Sequence, residues 1–142
     1  MSIRTTVILR RTAIMQAVST GSPDHFAALL GVEWLHSSFD QAVCRLLISQ
    51  HHRNALGGIH GGVIFSLADI AFAAACNASS AVYIGLQAEV RYMAKAEGGV
   101  QVATADLMGS SKKMAHYQVL ITDHLNNRVA LFSASAYRLS HG

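Results

Sequence analysis

The sequence predicts an α+β domain: a curved antiparallel β-sheet wrapped around one long central α-helix. Three observations predict it. A glycine-rich loop opens into an almost wholly apolar segment from Gly61 to about Ser79, broken by a single carboxylate, Asp69. Four strand-like segments follow, separated by glycines or by Asn126-Asn127, and two shorter ones precede it. A helix that apolar must be covered, and a run of antiparallel strands can curl over it. At 142 residues and 15.2 kDa the chain is one domain with room for a full core.

Residues 1–19 carry no acidic group and little periodicity, and are expected to be a loose leader, with Met15 an alternative start, before a folded domain over 20–142. Ser22-Pro23-Asp24 opens a short helix, Pro23 to Leu30, stopped by Gly31. Val32 to His36 and Gln41 to Gln50 read as strands around the Ser37-Ser38 turn. In the second, Val43, Arg45, Leu47 and Ser49 alternate with Cys44, Leu46 and Ile48. In the central helix Ser66, Asp69, Ala73 and Asn77 fall on one stripe of small or polar residues at spacings of three and four. The later strands are expected near 81–93, 100–108, 113–123 and 128–139, the last two joined by a hairpin turn at Asn126-Asn127.

Composition narrows the classes. With 51% hydrophobic and only 13% charged residues, part of the apolar surface is expected to lie between subunits, making the chain an obligate oligomer. A net charge of +3 suits a polyanionic small ligand, while the lack of a basic run argues against nucleic acid. The longest apolar run, Val63 to Cys76, is too short to span a bilayer, so no membrane partner is expected. No signal-peptide pattern and no Cys-x-x-Cys occur; a cytoplasmic location without disulfide or zinc is the expectation.

The helix geometry constrains any site built on it. Gly61 stands at the N-terminus, where backbone N–H groups lack internal partners and the helix dipole is positive, a setting suited to an oxyanion. Glycine at Gly61 and Gly62 leaves no side chain in a ligand's way. Asp69 lies eight residues on, about 12 Å along the axis at ~1.5 Å per residue. One carbonyl cannot touch both groups on the same helix. Two antiparallel helices about a two-fold axis would bring Gly61 of one chain beside Asp69 of the other.

Asn54 before the loop, His60-Gly61-Gly62, Phe65-Ser66-Leu67-Ala68-Asp69 and the closing Cys76-Asn77 together resemble the hotdog-fold acyl-CoA thioesterases, in the branch that includes the phenylacetate-pathway thioesterase. The resemblance covers roughly residues 22–139. It implies a homodimer with interface-shared sites, paired into a homotetramer, that hydrolyses an aryl- or medium-chain acyl-CoA. Asp69 would act as general base or nucleophile and the Gly61 N–H would polarise the carbonyl. Asn54 and His60 would orient substrate or water, with a helix cap as the other reading of His60. Gly62, Tyr92, Met93, Lys95 and Lys112 would meet coenzyme A, although a solvated hairpin explains Lys112 equally well. Arg91, facing away from Tyr92, is expected to take an ordinary ion-pair partner. Neither metal nor cofactor is implied, coenzyme A being part of the substrate. The chain departs from relatives in having no hydroxyl at Gly85-Leu86-Gln87, and Met93-Ala94-Lys95 where phenylacetate-pathway members often read Leu-Arg-Pro.

Other readings are weaker. The loop lacks the Gly-Lys-Ser/Thr ending of a phosphate loop and the spacing of a dinucleotide fingerprint. His51, His52, His60 and Asp69 have no metal-binding spacing, and no Gly-x-Ser-x-Gly elbow occurs. A hotdog hydratase needs a proline ahead of the helix, but the one proline is Pro23. A non-catalytic acyl-CoA sensor on the same fold is the remaining alternative, against which Asp69 argues.

Overall fold

The computed structural model describes residues 23–140; the leader expected over 1–19 lies outside the described residues. Helix α1 spans His25–Leu30, opened by Asp24, whose carboxylate accepts from the Ala27 N–H at 2.9 Å, and closed by Gly31 at φ 87°. Strands β1 (Glu33–Ser37) and β2 (Gln41–Leu47) form a hairpin. The second strand is shorter than expected. Its final residues turn into a 3-10 helix, Gln50–His52, because the Ser49 N–H donates to His52 Nδ1 rather than to a neighbouring strand.

Helix α2 runs Gly61–Cys76 and is followed by β3 (Tyr83–Tyr92), β4 (Val100–Ser110), β5 (Met114–Asp123) and β6 (Arg128–Arg138). It ends three residues before the predicted stop because Asn77 takes over the bonding. The Asn77 amide accepts from the Tyr83 N–H at 2.8 Å and donates to the Tyr83 carbonyl at 3.2 Å, tying the helix end to the start of β3.

The sheet order is β1-β2-β4-β5-β6-β3, with every neighbouring pair antiparallel. Its concave face is lined by small residues, among them Ala103, Ala105, Ala115, Ala134 and Ala136, all buried. Short side chains there let an alanine-rich helix lie close to the strands. Phe72 bridges the layers, edge-on to Tyr117 at 5.6 Å and tilted against Phe132 at 6.2 Å. This arrangement is the α+β fold expected, with the helix inside the curl of the sheet.

Two edges remain. β3 lies at one margin of the sheet, and residues 84–89 are exposed on both faces, including Ile84 and Leu86. A ten-residue edge strand left open with apolar side chains exposed is unusual in a chain that works alone.

Candidate active site

The loop before α2 is built by Asn54. Its Oδ1 accepts from the Leu56 N–H at 3.0 Å and the Gly58 N–H at 3.1 Å, and its own N–H donates to the Gly58 carbonyl. Both acceptor sites of the amide oxygen are thus used, while Nδ2 donates to nothing among the described residues. Buried His52 anchors the loop from below. Its Nδ1 accepts from Ser49, so Nε2 carries the proton and donates to the Leu30 carbonyl at 2.8 Å; its carbonyl accepts from the His60 N–H.

His60 caps α2. Its Nδ1 accepts from the Gly62 N–H at 2.8 Å, and its carbonyl accepts from the Val63 and Ile64 N–H groups at 2.9 and 3.3 Å. Three of the first four helical N–H groups are therefore occupied, and the Gly61 N–H alone has no acceptor among the described residues. The cap reading of His60 is the geometry found; it fixes the neutral tautomer with the proton on Nε2.

The two glycines serve the chain itself as well as any ligand. A Cβ on Gly62 would lie 3.0 Å from His60 Nδ1, and one on Gly61 would lie 3.3 Å from Cζ and Oη of Tyr92. Tyr92 ends β3 and donates its hydroxyl to the Gly61 carbonyl at 2.9 Å. The empty space read from the sequence is thus partly filled by two aromatic rings of the same chain.

A cleft of about 460 Å³ opens beside this helix start, with Asn54, Gly61, Tyr92 and Lys95 in its wall. Sequence reasoning missed its apolar side, which comes from Leu56, Ile59, Ile64, Ala94 and Ala96. Ala94 and Ala96 flank Lys95, so the expected contact segment was the available signal. Lys95 is the one charged residue in the wall. Met93 adjoins it, with Met93 and Ala94 N–H groups both donating to the Val129 carbonyl. Lys112 is elsewhere, in a groove of about 250 Å³ with Lys113, Arg138, Leu139 and Ser140, where Lys113 Nζ donates to Ser140 Oγ at 2.8 Å. Arg91 has no ion-pair partner among the described residues and instead borders a small groove with Glu89 on the outer face.

Asp69 does not reach the cleft. From residue 66 to 77 the open or half-open positions are Ser66, Asp69, Ala73 and Asn77, the stripe read from the sequence, and all others are buried. Ser66 donates to the Gly62 carbonyl and Asn77 is bound to Tyr83, which leaves Asp69 as the free polar group. Its carboxylate makes no hydrogen bond or ion pair among the described residues, so the reading of a structural acid tied to a strand has no support in the geometry. Burial of part of the group pushes its pKa up, with the Asp24 carboxylate adding a smaller push. More than a third of the residue is open to solvent in the single chain, so water screens that effect.

The two buried cysteines are poorly suited to act as nucleophiles. Burial pushes the thiols of Cys44 and Cys76 up to about 12, too high for a thiolate at neutral pH. Among the described residues no three His, Cys, Asp or Glu side chains gather as a metal site, and no helix is long and apolar enough to cross a membrane.

Comparisons with known proteins bear on the family and the fold. The family description "Domain of unknown function (DUF4442)" matches residues 12–135. A protein of Archaeoglobus fulgidus, described provisionally as an esterase, is 32% identical over 82% of this chain and 77% of its own. The acyl-coenzyme A thioesterase PaaI of Escherichia coli is 28% identical over 82% of this chain and 84% of its own. Among solved structures, a mutant of the phenylacetic acid degradation protein PaaI from Thermus thermophilus superposes with a TM-score of 0.77 at 31% identity. It covers 82% of this chain and 100% of that one.

Proposed function

We propose that this chain, which belongs to the DUF4442 family and to the PaaI branch of the hotdog-fold acyl-CoA thioesterases and is a thioesterase, works as a dimer. In it, the Gly61 N–H of one protomer and the Asp69 carboxylate of its partner act on one acyl-CoA. One observation carries the reading. The unused donor and the unused carboxylate sit eight residues apart on one helix, and the carboxylate does not line the donor's cleft. Each half is poised for chemistry that it cannot complete alone.

The thioester carbonyl would enter the cleft and accept from the Gly61 N–H and Asn54 Nδ2, both otherwise unpartnered. Donors held ready for a developing oxyanion are typically worth ~10²–10³ each in rate. Asp69 of the opposing helix would either draw a proton from water as it attacks the carbonyl or attack that carbon itself. By the first route the C–O bond to water forms, the C–S bond breaks, and the proton held by Asp69 passes to the departing thiolate. By the second the C–S bond breaks to leave a thiolate and an acyl–aspartyl anhydride, which a water then hydrolyses, freeing the acid, restoring Asp69 and supplying the proton to the thiolate. Lys95 in the wall suits the anionic coenzyme A portion, and the apolar residues opposite suit the acyl or pantetheine chain. His60 would keep the helix start in register rather than touch the reacting atoms.

The open apolar edge of β3 supports pairing of protomers there, and the low charge content supports a further pairing of dimers. An aryl- or medium-chain acyl group, a cytoplasmic setting, and the absence of metal or cofactor belong to the same proposal. A screen of acyl-CoA hydrolysis, read as free thiol, tests it. Turnover concentrated on aryl or medium acyl chains is expected; no turnover from short to long and aromatic chains would leave a binding protein instead.

A further inference from the structure

We infer that Tyr92 is a positioning residue, whose hydroxyl, donated to the Gly61 carbonyl, holds the first turn of α2 so that the Gly61 N–H stays aimed into the cleft. The inference rests on the proposed role of that N–H.

The helix begins with two glycines, the residue with the most backbone freedom to lose and among the poorest helix formers. Left alone, such a start frays. Two rings brace it. His60 holds Gly62 through its N–H, and Tyr92 holds Gly61 through its carbonyl at 2.9 Å while its ring would stand 3.3 Å from a Cβ on Gly61. The brace has a firm base. Tyr92 ends β3, and the next two N–H groups, of Met93 and Ala94, both donate to Val129, which is fully buried in β6.

Tyr92 is 53% exposed in the single chain, so packing within its own protomer does not account for a ring at that place. Its single O–H donor is already given to Gly61, leaving no proton for a substrate acceptor. A donor whose aim matters most when charge develops on the carbonyl oxygen affects the transition state more than the bound substrate.

Tyr92→Phe in the full chain tests this, because it keeps the ring and removes the hydroxyl. Expected is a fall in kcat of about three- to tenfold, the range for one lost hydrogen bond, with KM within about twofold. Amide hydrogen exchange at Gly62, Val63 and Ile64 should speed up, while Tm hardly changes. A raised KM with unchanged kcat would make Tyr92 an ordinary substrate contact and overturn the inference. So would unchanged kcat, whatever the exchange shows. If the wild-type chain itself turns over no acyl-CoA, the proposed function fails first, and unaltered exchange in the variant then removes the brace as well.

Discussion

At Asp69 the chain holds a carboxylate on a helix whose flanking positions 67, 68, 70, 71 and 72 are all buried. Partial burial, reinforced by Asp24, raises its pKa in the folded state. The sign follows from linkage: an acid raised on folding is held better when protonated, so stability declines as pH climbs from the unfolded to the folded pKa. Asp69→Asn is therefore expected to leave Tm equal to or above that of wild type at neutral pH, measured by thermal melting, while thioester hydrolysis drops by several orders of magnitude. In the wild type the acid limb of kcat/KM should lie above the ordinary aspartate range, since only the ionised form can serve as base or nucleophile. A melting loss of several degrees in the variant would instead mark Asp69 as a structural acid. Gly61 is a harder residue to probe. Proline suits the first helical position and the extended backbone of His60 before it, but its ring would press on Tyr92, so lost activity would not report the N–H alone.

Among the elements, the β5–β6 hairpin shows how one side chain can organise a turn. Asp123 is buried and accepts from the N–H groups of Leu125, Asn127 and Glu97 and from the Asn127 side chain, at 2.9 to 3.1 Å. Asn126 takes φ 64°, a conformation asparagine tolerates. Burial by itself would raise the Asp123 pKa, but the hydrogen bonds led by Asn127 outweigh it and hold the carboxyl below its usual range. Such a group adds stability above its unfolded pKa and gives it up as pH falls through the folded value. Asp123→Asn should thus lower stability at neutral pH and flatten the acid side of a denaturation-versus-pH curve. A curve parallel to that of wild type would refute this account of the turn. Next to β6, at the margin of the sheet, β3 shows apolar residues to solvent, the pattern of a strand waiting for a neighbour.

For the molecule as a whole, the test is whether two protomers complete one another. Asn54→Asp keeps the oxygen that builds the loop while removing the Nδ2 donor; Asp69→Asn removes the carboxylate. Each homodimer should be nearly inactive. A verified heterodimer holds one site with Asn54 and Gly61 from one chain and Asp69 from the other, all native. It should recover about half the wild-type rate, one of two symmetric sites. Purified heterodimers no more active than either parent would place both groups in the same protomer's chemistry and end the shared-site reading.

The amino-acid sequence by itself determined the elements, the curl of strands about one helix, and the stripe of Ser66, Asp69, Ala73 and Asn77. Each depends on periodicity or turn chemistry within a few residues. The motif around His60-Gly61-Gly62 also pointed to the right family, because its residues are consecutive or nearly so. Tertiary structure alone decided the strand order, the apolar wall of the cleft, the separation of Lys112 from it, and which N–H remains free at the helix start. It decided as well that the hydroxyl of Tyr92, 31 residues from Gly61, donates to that glycine's carbonyl. These facts arise where side chains distant along the chain compete for the same space and the same hydrogen-bonding atoms. Only the folded backbone brings those competitors within a few ångströms of one another.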